Sequence, residues 1–125
     1  MDEKVCLDTN LCIEVLKNTE KGIELLDLIT KKEVFITTIT VFELFLREKN
    51  IYPIERFLSN VNILEFSELS ARAASEVLKT LKRKGKLIDI RDLFIASVAL
   101  TNSCTLATLN IKHFKNIENL KLLKV

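Results

Sequence analysis

Two glycines and one proline in 125 residues are too few for a collagenous or linker-rich polypeptide, and too few for an all-β fold that turns a corner every ten residues. Helices joined by short connections are expected instead. A single histidine leaves structural zinc without support. The three cysteines are an odd count with no C-x-x-C pair; Cys6, Cys12 and Cys104 lie in apolar runs and read as buried thiols of a reducing compartment. No apolar run reaches the eighteen residues of a membrane span, and Met1-Asp2-Glu3-Lys4 leads into a short apolar strand rather than the h-region of a signal peptide. A cytoplasmic protein with no membrane partner is therefore expected. Charge of one sign is also lacking: 19 Lys and Arg against 17 Asp and Glu give a formal +2, which by itself makes no case for nucleic acid.

With 48% of residues hydrophobic, the chain can bury enough surface to offset its ordering entropy, and its length fits a single domain spanning 1–125. No repeat, low-complexity block or Pro/Gly/Ser stretch divides it. Val5 to Leu7 reads as a strand ending at Asp8, and from Asn10 the spacing of Ile13 and Leu16 is helical. A helix over about Glu20 to Lys31 precedes a strand at Val34 to Thr37, and Thr40 is expected to start a helix carrying Phe42, Phe45 and Leu46. After a short helix near Pro53, Val61 to Leu64 reads as a buried strand. Ser67 suits the cap of the longest helix, with the stripe Leu69, Ala73, Val77 and Leu81 and a stop at Gly85. A helix over Ile90 to Leu100, strands at Cys104 to Ala107 and Leu120 to Leu123, and a helical turn near Ile111 complete the pattern. Strands embedded between helices and apolar on both faces predict an α/β fold of three layers, a parallel sheet with helices on both faces. Ligands in such folds bind beyond the carboxyl ends of the strands.

Asp8, at the end of the first strand, belongs on that edge. Glu43 stands three residues after Thr40 and Asp92 three after Asp89, each pair opening a helix. Both spacings fit a capping box, which satisfies helix-end N–H groups and needs no catalysis; Asp89 is assigned to that role. A carboxylate in the first turn of a helix leaving the strand edge lies on the same edge, however, so Glu43 and Asp92 can both approach Asp8. Like charges packed together raise one another's pKa or take up a cation. Hard oxygen ligands favour Mg²⁺ or Mn²⁺, and such an ion suits phosphate chemistry.

The order Leu7-Asp8-Thr9-Asn10, Thr40-Val41-Phe42-Glu43-Leu44, Asp92-Leu93-Phe94-Ile95-Ala96 and Thr108-Leu109-Asn110-Ile111-Lys112-His113-Phe114 resembles the PIN-domain nucleases, especially the VapC-like toxins, over nearly the whole chain. The resemblance implies a five-stranded parallel sheet, a Mg²⁺- or Mn²⁺-dependent endoribonuclease acting on RNA, a homodimer and, in the toxin branch, an antitoxin partner. It places the metal-binding acids at Asp8, Glu43 and Asp92 and a hydroxyl beside the first acid at Thr9. Many relatives carry an acid where this chain has Asn110 or His113. Asn110 is then a residue for orienting water, and His113 either meets a phosphate or an ion or is simply a half-exposed residue before Phe114.

Lys79, Lys82 and Arg83 fall on the polar face of the long helix, and Arg91 adjoins the proposed acids. They form either a solvated face or a phosphate-binding strip. The phenylalanines are interleaved with aliphatics and read as core or interface rather than as a base-stacking platform. A haloacid-dehalogenase-like phosphatase would need a second aspartate where Asn10 stands, and a receiver domain would need its aspartate on a later strand. The rival from another class is a PIN-like module that binds RNA or protein with little or no turnover.

Overall fold

Successive side chains of a strand point to opposite faces, and Val5-Cys6-Leu7 is apolar at every position, so both of its faces must be covered. In the computed structural model, which describes residues 3–49 and 51–125, all three are at most 1% exposed. Val5 and Leu7 enter one buried cluster and Cys6 the other. Met1 and Asp2, the first residues of the amino-terminal reading, lie outside the described residues.

The described elements are β1 (Lys4–Leu7), α1 (Thr9–Leu16), α2 (Glu20–Ile29), β2 (Glu33–Thr37), α3 (Thr38–Leu46), α4 (Ile51–Leu58), β3 (Asn62–Leu64), α5 (Glu68–Arg83), α6 (Ile90–Thr101), β4 (Thr105–Thr108), α7 (Ile111–Phe114) and β5 (Leu122–Lys124). The five strands form one sheet in the order β3-β2-β1-β4-β5, every pair parallel. Leu11, Leu25, Leu44 and Ile54 of α1 to α4 fill the cluster on one face, and Leu81, Ile95 and Phe114 of α5 to α7 fill the other. Right-handed crossovers require this division: the chain steps outward from β1 to β3 under one layer, then returns past β1 to β4 and β5 under the other. The predicted three-layer α/β fold with a five-stranded parallel sheet is the one observed. No helix among the described residues is long and apolar enough to cross a membrane.

Several local expectations fail. Thr37, not Thr40, caps α3: its hydroxyl accepts the Thr40 N–H at 3.2 Å, so the helix begins two residues early. Strand β3 is largely exposed, because it is an edge strand with a single neighbour. The stripe of α5 is rotated, with Ser70, Ala74 and Leu81 buried while Leu69 is 62% exposed. The expected caps at Ser67 and Asp89 are present, and Gly85 follows α5 at φ +68°, the left-handed geometry a helix stop favours. All three thiols are buried and free.

Gly22 marks a close contact between α1 and α2. A Cβ there would lie 2.5 Å from the Glu14 carbonyl oxygen, backbone that cannot swing aside. Gly22→Ala is therefore expected to destabilise by about 1–3 kcal/mol in urea unfolding, although helix propensity alone would give a gain of about 1 kcal/mol.

Candidate active site

The chain reverses its direction of travel across the sheet between β1 and β4, and a crevice outside the carboxyl ends of the strands forms at such a switch point. Asp8 follows β1 directly, and Thr108 ends β4 beside it. Asp8 is only 4% exposed. Its Oδ1 caps α1 by accepting the Leu11 N–H at 3.0 Å, and its Oδ2 accepts the Thr108 hydroxyl at 2.5 Å. Thr108 Oγ1 itself accepts the Asn110 N–H at 2.9 Å, so the one hydroxyl proton is left for Asp8. Burial pushes the Asp8 carboxyl above its ordinary pKa, and the charges of Asp92 and Glu43 add to the rise, while the bonds from Thr108 and Leu11 oppose it.

Glu43 lies in the second turn of α3, not in a first-turn capping box, because the helix starts at Thr38. Its carboxylate is placed by other means. Thr9 donates to Glu43 Oε1 at 2.7 Å, and Arg91 reaches Oε2 at 3.4 Å. With the Thr9 proton committed to Glu43, the 3.0 Å contact between Thr9 and Thr40 has Thr40 as donor. Both threonines are buried, so a hydroxyl chain from Thr40 through Thr9 points at the acid.

Asp92 lies in the first turn of α6, and its Oδ2 is 3.2 Å from His113 Nδ1. Its pKa is raised, chiefly by burial, with the neighbouring His113 opposing. Asp89 caps α6 through the Arg91 N–H at 2.8 Å and also meets the Arg91 guanidinium at 3.4 Å, the role expected of it. His113 is exposed on α7 just before Phe114, as one of its two readings has it, and its ring is in contact with Asp92. Asn110 occupies the position before α7 without a side-chain capping bond. Lys82 and Arg83 are exposed in the last turn of α5, where cations complement the helix dipole, and no described contact joins them to the acids.

Glu43 and Asp92 thus lie near enough to the end of β1 for both of their charges to bear on Asp8. Among the described residues, though, no three His, Cys, Asp or Glu side chains stand close enough to grip one ion; Glu43 is held by Thr9 and Arg91, and Asp92 by His113. The donor set is all oxygen, with one imidazole at its margin, and its chemistry fits a hard divalent cation.

Thr40 and Thr108 are the site residues that sequence reasoning missed. A hydroxyl at the end of β4, opposite an acid at the end of β1, was the available signal.

The raised Asp8 and Asp92 carboxyls have a stability consequence. Their folded pKa values exceed the unfolded ones, so the folded state holds more protons and loses stability as pH rises from the unfolded carboxylate value through the folded one. In EDTA, the melting temperature of the wild type should fall across that window relative to Asp8→Asn; parallel pH curves for the two proteins would contradict the assignment.

A family model described as a PIN domain matches residues 5–120. Ribonuclease VapC2 of Rickettsia felis is 35% identical over 125 residues, 93% of each chain. The tRNA(fMet)-specific endonuclease VapC of Shigella flexneri is 26% identical over 125 residues, 94% of this chain and 95% of its own. A chain in the crystal structure of VapBC2 from Rickettsia felis bound to a DNA fragment from their promoter aligns with TM-score 0.88 and 32% identity over 98% of both chains.

Proposed function

The chain belongs to the PIN-domain family, and on that premise we propose that it is a divalent-metal-dependent endoribonuclease, the toxin of a toxin–antitoxin pair. The observation that carries this reading is the nearly buried Asp8 at the switch point of the sheet, held by Thr108 and made harder to ionise by burial and by the charges of Asp92 and Glu43. Relatives named as ribonucleases over almost the full length of the chain support it, as does the alignment with a VapBC complex.

In this reading Asp8, Glu43 and Asp92 would hold Mg²⁺ or Mn²⁺, Glu43 turning from Arg91 and Asp92 offering the Oδ1 that its contact with His113 leaves free. When bound, such an ion polarises a phosphoryl oxygen and lowers the pKa of the attacking water. Thr108 fixes the Asp8 carboxylate, and Thr9, fed by Thr40, fixes Glu43. Arg91, released from Glu43, is left to neutralise a substrate phosphate, the geometry at which a guanidinium excels. The Asn110 amide orients water at the crevice, and His113 donates to a phosphate oxygen. Lys82 and Arg83 contribute backbone contacts that carry affinity rather than sequence choice.

The whole chain acts as one domain in the reducing cytoplasm, consistent with three free buried thiols. An antitoxin protein and a second copy of the chain are its protein partners; exposed Phe42, Leu46 and Leu69 are apolar surface suited to a homodimer.

A second reading, a PIN-like binding module with little turnover, draws on Asn110 and His113 standing where an acid would add charge. Incubating a mixed panel of single-stranded RNAs with Mg²⁺, Mn²⁺ or EDTA separates the two. Cleavage in either metal that stops in EDTA is expected of the nuclease, and binding without cleavage in all three favours the module.

A further inference from the structure

The loop between α5 and α6 faces α7 across a cleft of about 520 Å³ lined by Leu87, Ile88, Asp89, Asp92, Lys112 and His113. Asp92 is one of its walls, so the cleft adjoins the site at that acid. Its volume lies within the range of small-molecule sites.

The chemistry of the walls is unlike that of the crevice beside it. Leu87 is 98% exposed, a large apolar side chain on a loop with no packing partner of its own. His113 spends Nδ1 on Asp92, which fixes the ring and leaves Nε2 and a flat aromatic face. Lys112 is exposed, and no carboxylate pairs with it among the described residues. Of the two acids of the cleft, Asp89 is paired with the Arg91 guanidinium and Asp92 contacts the His113 ring, and Lys112 is the permanent cation of the lining. An apolar side chain, an imidazole face and a free ammonium are the elements that receive a splayed-out nucleotide, since unstacked bases rest on flat or apolar side chains while a cation takes the phosphate.

We propose that this cleft seats one unstacked nucleotide of the RNA beside the bond that is cut, its base against Leu87 and His113 and its phosphate on Lys112. The inference rests on the ribonuclease reading for the identity of the polymer. It adds a base-contacting subsite, through which the enzyme prefers some cleavage positions over others.

The test uses a labelled single-stranded RNA of random sequence, bound to the full chain in EDTA and followed by fluorescence anisotropy over a salt series. Lys112→Ala should reduce the slope of log K against log salt by about 0.7, the loss of one phosphate contact on a single strand. Leu87→Ala should weaken binding about fivefold with the slope unchanged, since an apolar contact with the base is lost and no phosphate contact. Both positions are exposed, so melting temperatures matching the wild type are the control for folding. On the same random RNA in Mn²⁺, Leu87→Ala should flatten the base preference at one position adjoining the cut. Variants that bind and cut like the wild type overturn the cleft while leaving the nuclease standing. The predicted binding changes without any cleavage by the wild type overturn the nuclease and keep the cleft. A wild-type chain that binds no RNA at low salt overturns both.

Discussion

Asp8→Asn will lower RNA cleavage in Mn²⁺ or Mg²⁺ by about 10²–10³-fold, the scale of losing one preorganised electrostatic group at a reacting centre. The substitution is nearly isosteric. The Asn oxygen can still accept the Leu11 N–H that Asp8 Oδ1 accepts now, so the cap of α1 survives. The amide nitrogen can donate to Thr108 Oγ1 in place of the present bond from the Thr108 hydroxyl, which leaves that hydroxyl proton to find another acceptor at a cost of about 1–3 kcal/mol. Against this cost stands the removal of a buried carboxylate whose ionised form is disfavoured by burial and by Asp92 and Glu43. The variant is therefore expected to fold, and rates from initial-velocity assays with circular dichroism as control separate loss of chemistry from loss of structure. Cleavage equal to the wild type, or cleavage persisting in EDTA, would remove Asp8 from the active site.

Mn²⁺ at a hundred times its dissociation constant should raise the melting temperature by about 10 °C. Mass action on a site present only in the folded state contributes about 2.7 kcal/mol at that concentration, and the unfolding entropy of a chain this long converts it to that shift. Asp92→Asn should abolish most of the rise. In EDTA the same variant should melt at the wild-type temperature or slightly above, because burial already disfavours the Asp92 charge and the contact with exposed His113 contributes little. A drop of about 0.3–1 kcal/mol in EDTA, the scale of a helix-end charge, would instead assign Asp92 to stabilising α6. Scanning calorimetry with and without Mn²⁺ reads both effects.

Much of this architecture is legible in the order of residues because it rests on local periodicity. Val5 to Leu7 is apolar at every step, and only a strand buried on both faces uses such a run; Ser67 and Asp89 sit where orphan N–H groups need an acceptor. Asp8 was visible as a polar residue ending an apolar strand. The failures arise where two local solutions are nearly equal. Thr37, Thr38 and Thr40 can each cap the following helix, and the choice of Thr37 depends on where β2 ends, which pairing with β1 and β3 decides. That slip moved Glu43 out of the first turn and changed it from a capping candidate to an acid held across the molecule by Thr9. Leu69 and β3 read as buried because periodicity reports an apolar face but not whether anything covers it. The partners of the hydroxyls were harder to read than the hydroxyls themselves: Thr9 to Glu43 spans 34 positions and Thr108 to Asp8 spans 100, distances along the chain that only the strand order closes.

The placement of β1 between β2 and β4 also governs when a newly made molecule becomes dangerous to its maker. Residues 3–64 can begin to pair as β1, β2 and β3 early in synthesis, since domains assemble from the amino terminus as the ribosome delivers them. The other flank of β1 stays bare until Thr105–Thr108 has emerged, and with it the hydroxyl that orients Asp8. Parallel pairing over so long a loop is slow. A nascent chain therefore carries Asp8 without its orienting hydroxyl until Thr105–Thr108 has been made and paired, and that interval is open to capture by another protein.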